Sequence, residues 1–133
     1  MTLLLDTHTI VWLTRDQRLG RAALRACDAA LARDELCIPA IAFFELGRLV
    51  AAGRLGGQGR VQDWRLLILS RGAREVPVTS EIAIRASDLD NLPGDPIDRL
   101  IVATALVERA TLLTADKRLL AWPGALDRQD AAR

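Results

Sequence analysis

Leu3-Leu4-Leu5-Asp6-Thr7-His8-Thr9, residues 3–9, sets three consecutive apolar residues directly before an acid and a polar turn. An apolar run this short, closed by an acid, reads as a fully buried strand of a parallel sheet. Ligands of such sheets gather outside the carboxyl ends of the strands, where Asp6 lies. On its own Asp6 is equally well explained as a helix N-cap. Thr111-Leu112-Leu113-Thr114-Ala115-Asp116 repeats the pattern, with Thr114 and Asp116 as alternative caps.

Outward from these runs, short β-rich segments alternate with longer helical patterns, which predicts βα units around a parallel sheet. Five strands are expected, near Leu3–Leu5, Leu36–Ile38, Glu75–Val78, Thr111–Leu113 and Ala125–Asp127. Helices are expected over Thr9–Thr14, Arg21–Arg33, Ala40–Ala52, Val61–Arg71, Ser80–Leu89, Pro96–Arg109 and Ala115–Leu120. Gly53-Arg54-Leu55-Gly56-Gly57-Gln58-Gly59-Arg60 reads as a loop within the domain, with Arg54 and Arg60 as candidate phosphate contacts or plain loop residues. The polar end, Asp127–Arg133, is expected to fray, leaving an ordered core over about residues 2–127.

The 133 residues suit one domain over 1–133, and therefore one site. Half of them are apolar and 26% are charged, a globular balance. The longest apolar runs fall well short of a membrane span, and the start lacks the basic region of a signal peptide, so a cytoplasmic protein is expected. Two cysteines, Cys27 and Cys37, exclude a disulfide framework, and with a single histidine they leave zinc short of ligands. A net charge of +1 gives no global field for nucleic acid, so any such binding must come from local clusters.

Two further acids sit on helices among apolar neighbours. Glu45 has Ile41, Leu49 and Ala52 beside it on the helix surface, and an unpaired charge buried there would be costly. An ion pair with Arg48 is the structural alternative. Asp98 adjoins Ile101, Val102 and Ala105, although its place in the first turn also complements the helix dipole. Asp95 before Pro96 is explained fully as N-cap and N1. Two acids at strand ends and two on core-facing helix surfaces make a set: Asp6, Glu45, Asp98 and Asp116.

The stretches LLLDTHTIVWL, FFELGRLV, GDPIDRLIVATA and TLLTADKRL together resemble the PIN-domain family, and within it toxins of the VapC type, over Leu3 to Leu120. The resemblance implies one PIN-like α/β domain with a parallel five-stranded sheet of order 3-2-1-4-5 and about seven helices. It implies an Mg²⁺- or Mn²⁺-dependent endoribonuclease in which water attacks phosphorus and leaves a 5′-phosphate. Asp6, Glu45, Asp98 and Asp116 match the family's metal-binding acids, and Asp95 and Thr114 match positions near the site. An RNA substrate, a cognate antitoxin and a homodimer are implied partners, and the apolar helices Ala40–Ala52 and Ser80–Leu89 are the candidate dimer face. His8 matches no catalytic position.

Arg48, Arg99, Lys117 and Arg118 adjoin acids in sequence and are candidate contacts to RNA phosphates, or else solvated surface charges. Trp12, Trp64 and Trp122 suit base stacking or, by default, core packing. A haloacid-dehalogenase-type phosphatase is the rival enzyme, but it expects a second aspartate where His8 stands. A catalytically silent binding module that kept the fold is the other rival.

Overall fold

The computed structural model describes residues 1–133 except Gln17, Gly57, Gln58, Pro93 and the side chain of Asp16. Its strands are β1 (Leu3–Leu5), β2 (Leu36–Pro39), β3 (Arg74–Val76), β4 (Thr111–Thr114) and β5 (Arg128–Asp130). The helices are α1 (Thr7–Val11), α2 (Arg21–Ala32), α3 (Ile41–Ala51), α4 (Val61–Ser70), α5 (Ser80–Ser87), α6 (Pro96–Glu108) and α7 (Lys117–Ala121), with a π-helical turn, Trp12–Asp16, continuing α1. Part of the glycine-rich loop read above, Gly57 and Gln58, lies outside the described residues.

All pairings are parallel, in the order β3-β2-β1-β4-β5, as the resemblance implied. Alternation along each strand divides the core into two layers. Leu3, Leu5, Leu36, Ile38 and Leu113 face α1–α4, while Leu4, Cys37 and Leu112 face α5, α6 and α7. Leu3, Leu4 and Leu5 are each 0% exposed, which is why β1 carries no polar residue at all. The chain leaves β1 toward β2 and β3 on one side, and β4 and β5 lie on the other. Beyond the paired ends Leu5 and Leu113, a crevice opens between the two directions. Among the described residues no helix is long and apolar enough to cross a membrane.

The fifth strand is a correction. It was expected at Ala125–Asp127 with a frayed tail after it, but the tail supplies the strand. Arg128, Gln129 and Asp130 pair with Leu112, Leu113 and Thr114, and Ala131 behind them is 0% exposed. The Gly20 N–H donates to the Ala131 carbonyl, and the Ala22 N–H to that of Arg133. Beneath the strand the Arg128 guanidinium donates to four carbonyls, those of Leu119, Trp122, Gly124 and Leu126. A charged, polar segment is thus anchored through its backbone and one arginine.

Candidate functional site

Asp6 follows β1 and caps α1, and it is buried with both oxygens occupied. Its Oδ1 accepts the Thr9 N–H at 3.0 Å and lies 2.6 Å from the Thr9 hydroxyl, while the Thr114 hydroxyl donates to Oδ2 at 2.5 Å. Burial pushes this carboxyl above the usual range, against the hydroxyl and amide bonds that pull it down. Thr114, at the end of β4, also accepts the Asp116 N–H at 3.0 Å. One hydroxyl therefore ties the acids of the two strand ends together.

Asp116 caps α7, with Oδ1 accepting the Arg118 N–H at 2.9 Å. Its partial burial would raise its pKa, yet the Arg118 hydrogen bonds and charge outweigh that and hold it below the usual value. Asp98, in the first turn of α6, goes the other way. Burial first, then the negative charges of Asp116 and Glu45, raise it to about 6. Arg118 Nη2 lies 3.2 Å from Asp98 Oδ2 and 3.1 Å from Asp116 Oδ2. Asp95 caps α6 through the Ile97 N–H at 2.9 Å, as its position before Pro96 predicted.

These acids share one cavity of about 390 Å³, lined by Asp6, Thr7, Glu45, Asp95, Asp98 and Asp116 among others. Glu45 reaches it from α3, half-buried, and among the described residues it makes no salt bridge with Arg48. Arg48 instead lies over the Phe44 ring, 5.8 Å from its centre. A second hollow of about 590 Å³ adjoins the first, sharing Glu45 and Asp95 and adding Arg48 and Arg54. Lys117 is exposed beside Arg118.

Arg99 does not join this group. Its guanidinium donates to the carbonyls of Ala86, Ser87, Leu89 and Leu92, so the fork expected to meet phosphate is spent in holding the α5–α6 connection. Trp122 and Trp64 are buried, the former donating to the Asp90 carbonyl and the latter under Arg15. Trp12 and His8 line the acid cavity.

Sequence reasoning missed Thr7 and Thr9. The Thr9 hydroxyl clamps Asp6, and Thr7 lines the cavity with its hydroxyl oxygen buried and without a hydrogen-bond partner among the described residues. Their signal was present as a polar pair flanking His8 immediately after the strand-end acid. An oxygen-only donor set suits a hard cation such as Mg²⁺ or Mn²⁺. The buried Thr7 hydroxyl, without a partner among the described residues, fits such an ion's water, for it is polarity that the protein leaves uncompensated. Among the described residues no three acidic, histidine or cysteine side chains converge on one point as they stand. Asp6 is turned to Thr9 and Thr114, and Arg118 lies against one oxygen each of Asp98 and Asp116.

A model of the PIN domain matches residues 3–123. The chain is 41% identical over 120 residues to ribonuclease VapC22 of Mycobacterium tuberculosis strain ATCC 25618 / H37Rv, covering 89% of each protein. Its fold is similar to that in VapBC2 from Rickettsia felis bound to a promoter DNA fragment, with a TM-score of 0.74 at 19% identity over 97% of this chain and 98% of that one. It is similar also to VapBC-1 from nontypeable Haemophilus influenzae, with a TM-score of 0.69 at 22% identity over the whole of both chains.

Proposed function

Because this chain belongs to the PIN-domain family, we propose that it is a metal-dependent endoribonuclease, the toxin of a toxin–antitoxin pair. The observation that carries this reading is the gathering of Asp6, Glu45, Asp98 and Asp116 around one cavity at the carboxyl end of the sheet, in a chain so similar to a ribonuclease. Asp6, Asp98 and Asp116 would hold Mg²⁺ or Mn²⁺, with Glu45 as a further ligand or water orienter. When bound, such an ion supplies a Lewis acid that activates water and offsets charge on a phosphodiester.

The protein's own groups prepare the site. Thr9 and Thr114 fix the Asp6 carboxylate in one rotamer, and the Thr114 bond to the Asp116 N–H sets the α7 cap relative to β1. Asp95 holds the first turn of α6 so that Asp98 faces the cavity. Arg48 and Arg54 line the adjoining hollow, where an RNA strand leaving the acids meets positive charge. Lys117 is a further phosphate contact at the rim.

The whole of 1–133 acts as one cytoplasmic PIN domain in this reading, inhibited by a cognate antitoxin. It forms a homodimer through α3 and α5, which expose Phe44 (58%) and Ile84 (62%). Incubating purified protein with RNA in Mg²⁺, Mn²⁺ or chelator tests the activity. Cleavage is expected with metal and is expected to vanish in chelator and in Asp116→Asn. No cleavage with either metal, or cleavage that survives both losses, overturns the proposal.

A further inference from the structure

We infer that Arg118 is a resident counter-cation of the acid cluster, which a divalent ion must displace from Asp98 and Asp116, so that this side chain sets the metal affinity of the site. The inference deepens the metal-dependent reading above and rests on it. Arg118 Nη2 bridges the Oδ2 atoms of two acids from different elements, at 3.2 Å on α6 and 3.1 Å at the α7 cap. Its own side chain is 57% exposed while those of Asp98 and Asp116 are 16% and 27% exposed, so the guanidinium closes the cluster from the solvent side.

Gly94 lies beside the guanidinium. Gly94, at φ +109°, leaves a gap that a Cβ would reduce to 3.0 Å from Arg118 Nη1. Only glycine takes that backbone conformation readily, and a side chain there would crowd the guanidinium. A planar fork can address two carboxylates at once, which the point charge of a lysine does less well.

An ion that these same oxygens would hold could not share them with a guanidinium, on grounds of both space and charge. Metal and Arg118 therefore exclude one another at Asp98 and Asp116. In the metal-free protein the guanidinium, within 3.2 Å of Asp98 Oδ2 and 3.1 Å of Asp116 Oδ2, offsets part of the repulsion between these acids. Once displaced it remains on α7 at the mouth of the cavity, a free fork beside an incoming phosphate.

The test is Mn²⁺ binding, by calorimetry and by electron paramagnetic resonance of the free ion, at fixed ionic strength. Arg118→Gln is expected to tighten binding about fivefold or more, in keeping with the loss of two partly exposed ion pairs. Arg118→Lys is expected to fall between it and the parent. Lys117→Gln removes the same charge from an exposed neighbour that has no salt bridge among the described residues, and is expected to change affinity less than about twofold. Thermal melts provide a second readout, in which Mn²⁺ raises the midpoint of Arg118→Gln more than that of the parent.

Unchanged or weaker Mn²⁺ binding in Arg118→Gln overturns the inference, as does an equal gain in Lys117→Gln. Asp98→Asn separates this failure from that of the underlying reading. If Asp98→Asn binds Mn²⁺ as well as the parent does, the acid cluster is not the metal site and both fall. If it loses Mn²⁺ while Arg118→Gln does not tighten it, only the role of Arg118 falls.

Discussion

Replacing Asp98 by asparagine is expected to make the metal-free protein more stable while ending its activity. Asp98 has its pKa raised from 3.8 to about 6 by burial and by the charges of Asp116 and Glu45. Its folded-state value thus lies above the unfolded one. The stability this creates is fully present below pH 3.8, is lost as pH rises through about 6, and stays lost above that. A rise of that size corresponds to about 3 kcal/mol. With the side chain 16% exposed, little of this is screened, and about 2 kcal/mol is a fair expectation at neutral pH. Asparagine keeps the shape and removes the charge, so Asp98→Asn should melt roughly 6 to 8 °C higher than the parent at pH 7.5 in chelator. The gain should be largely gone at pH 4, where the parent's Asp98 is protonated in the fold. Adding Mn²⁺ should reverse the order, because only the parent keeps its full ligand set. Paired melts at the two pH values, with and without Mn²⁺, measure all of this. Equal midpoints in chelator at pH 7.5, or a gain undiminished at pH 4, would refute the electrostatic account of the site.

Asp6→Asn should also abolish cleavage, and because one of the two oxygens that face Thr9 and Thr114 becomes an amide donor, it should gain less stability in chelator than Asp98→Asn does; denaturant melts alongside an RNA assay check both. Thr114→Val removes both the bond to Asp6 and the acceptor for the Asp116 N–H, and should lower stability by about 1 to 2 kcal/mol and weaken Mn²⁺ binding measured by calorimetry. Arg128→Met strands four carbonyls and should cost about 3 kcal/mol or more in a urea melt, with exchange protection lost first in β5. Ile84→Glu should leave the fold intact, because Ile84 is 62% exposed, and should shift the mass by light scattering from dimer to monomer.

The parts of the fold that could be read from the sequence are those whose stability comes from apolar side chains. Leu3-Leu4-Leu5 and Leu112-Leu113 declare themselves because both faces of a central parallel strand are buried. β5 does not, for Arg128-Gln129-Asp130 has neither an apolar run nor an alternation. It exists because the backbone of β4 offers it hydrogen bonds and an edge strand tolerates polar side chains. Nothing local to residues 128–130 encodes the carbonyl cage around Arg128, which is assembled from α7 and the turn after it.

The candidate site divides along the same line. Each of the four acids stands out locally, at a strand end or within an apolar helix surface, because a carboxylate there is costly unless something compensates it. What surrounds them is set by tertiary placement. Arg99 follows Asp98 directly, but one residue along a helix turns the side chain by about 100°. Asp98 consequently faces the cavity while Arg99 faces the carbonyls of the α5–α6 connection. Arg118 stands two residues beyond Asp116, across a helix cap, and the chain's reversal there brings its fork back onto that acid and across to Asp98. Arg48, Arg99, Arg118 and Arg128 are chemically identical, yet one lies over a ring beside the hollow, two are bound to carbonyls and one is bound to acids. Which oxygens lie within reach decides the outcome. Backbone carbonyls hold a guanidinium for the life of the fold, whereas carboxylates at a cavity mouth will release it to a competitor of higher charge.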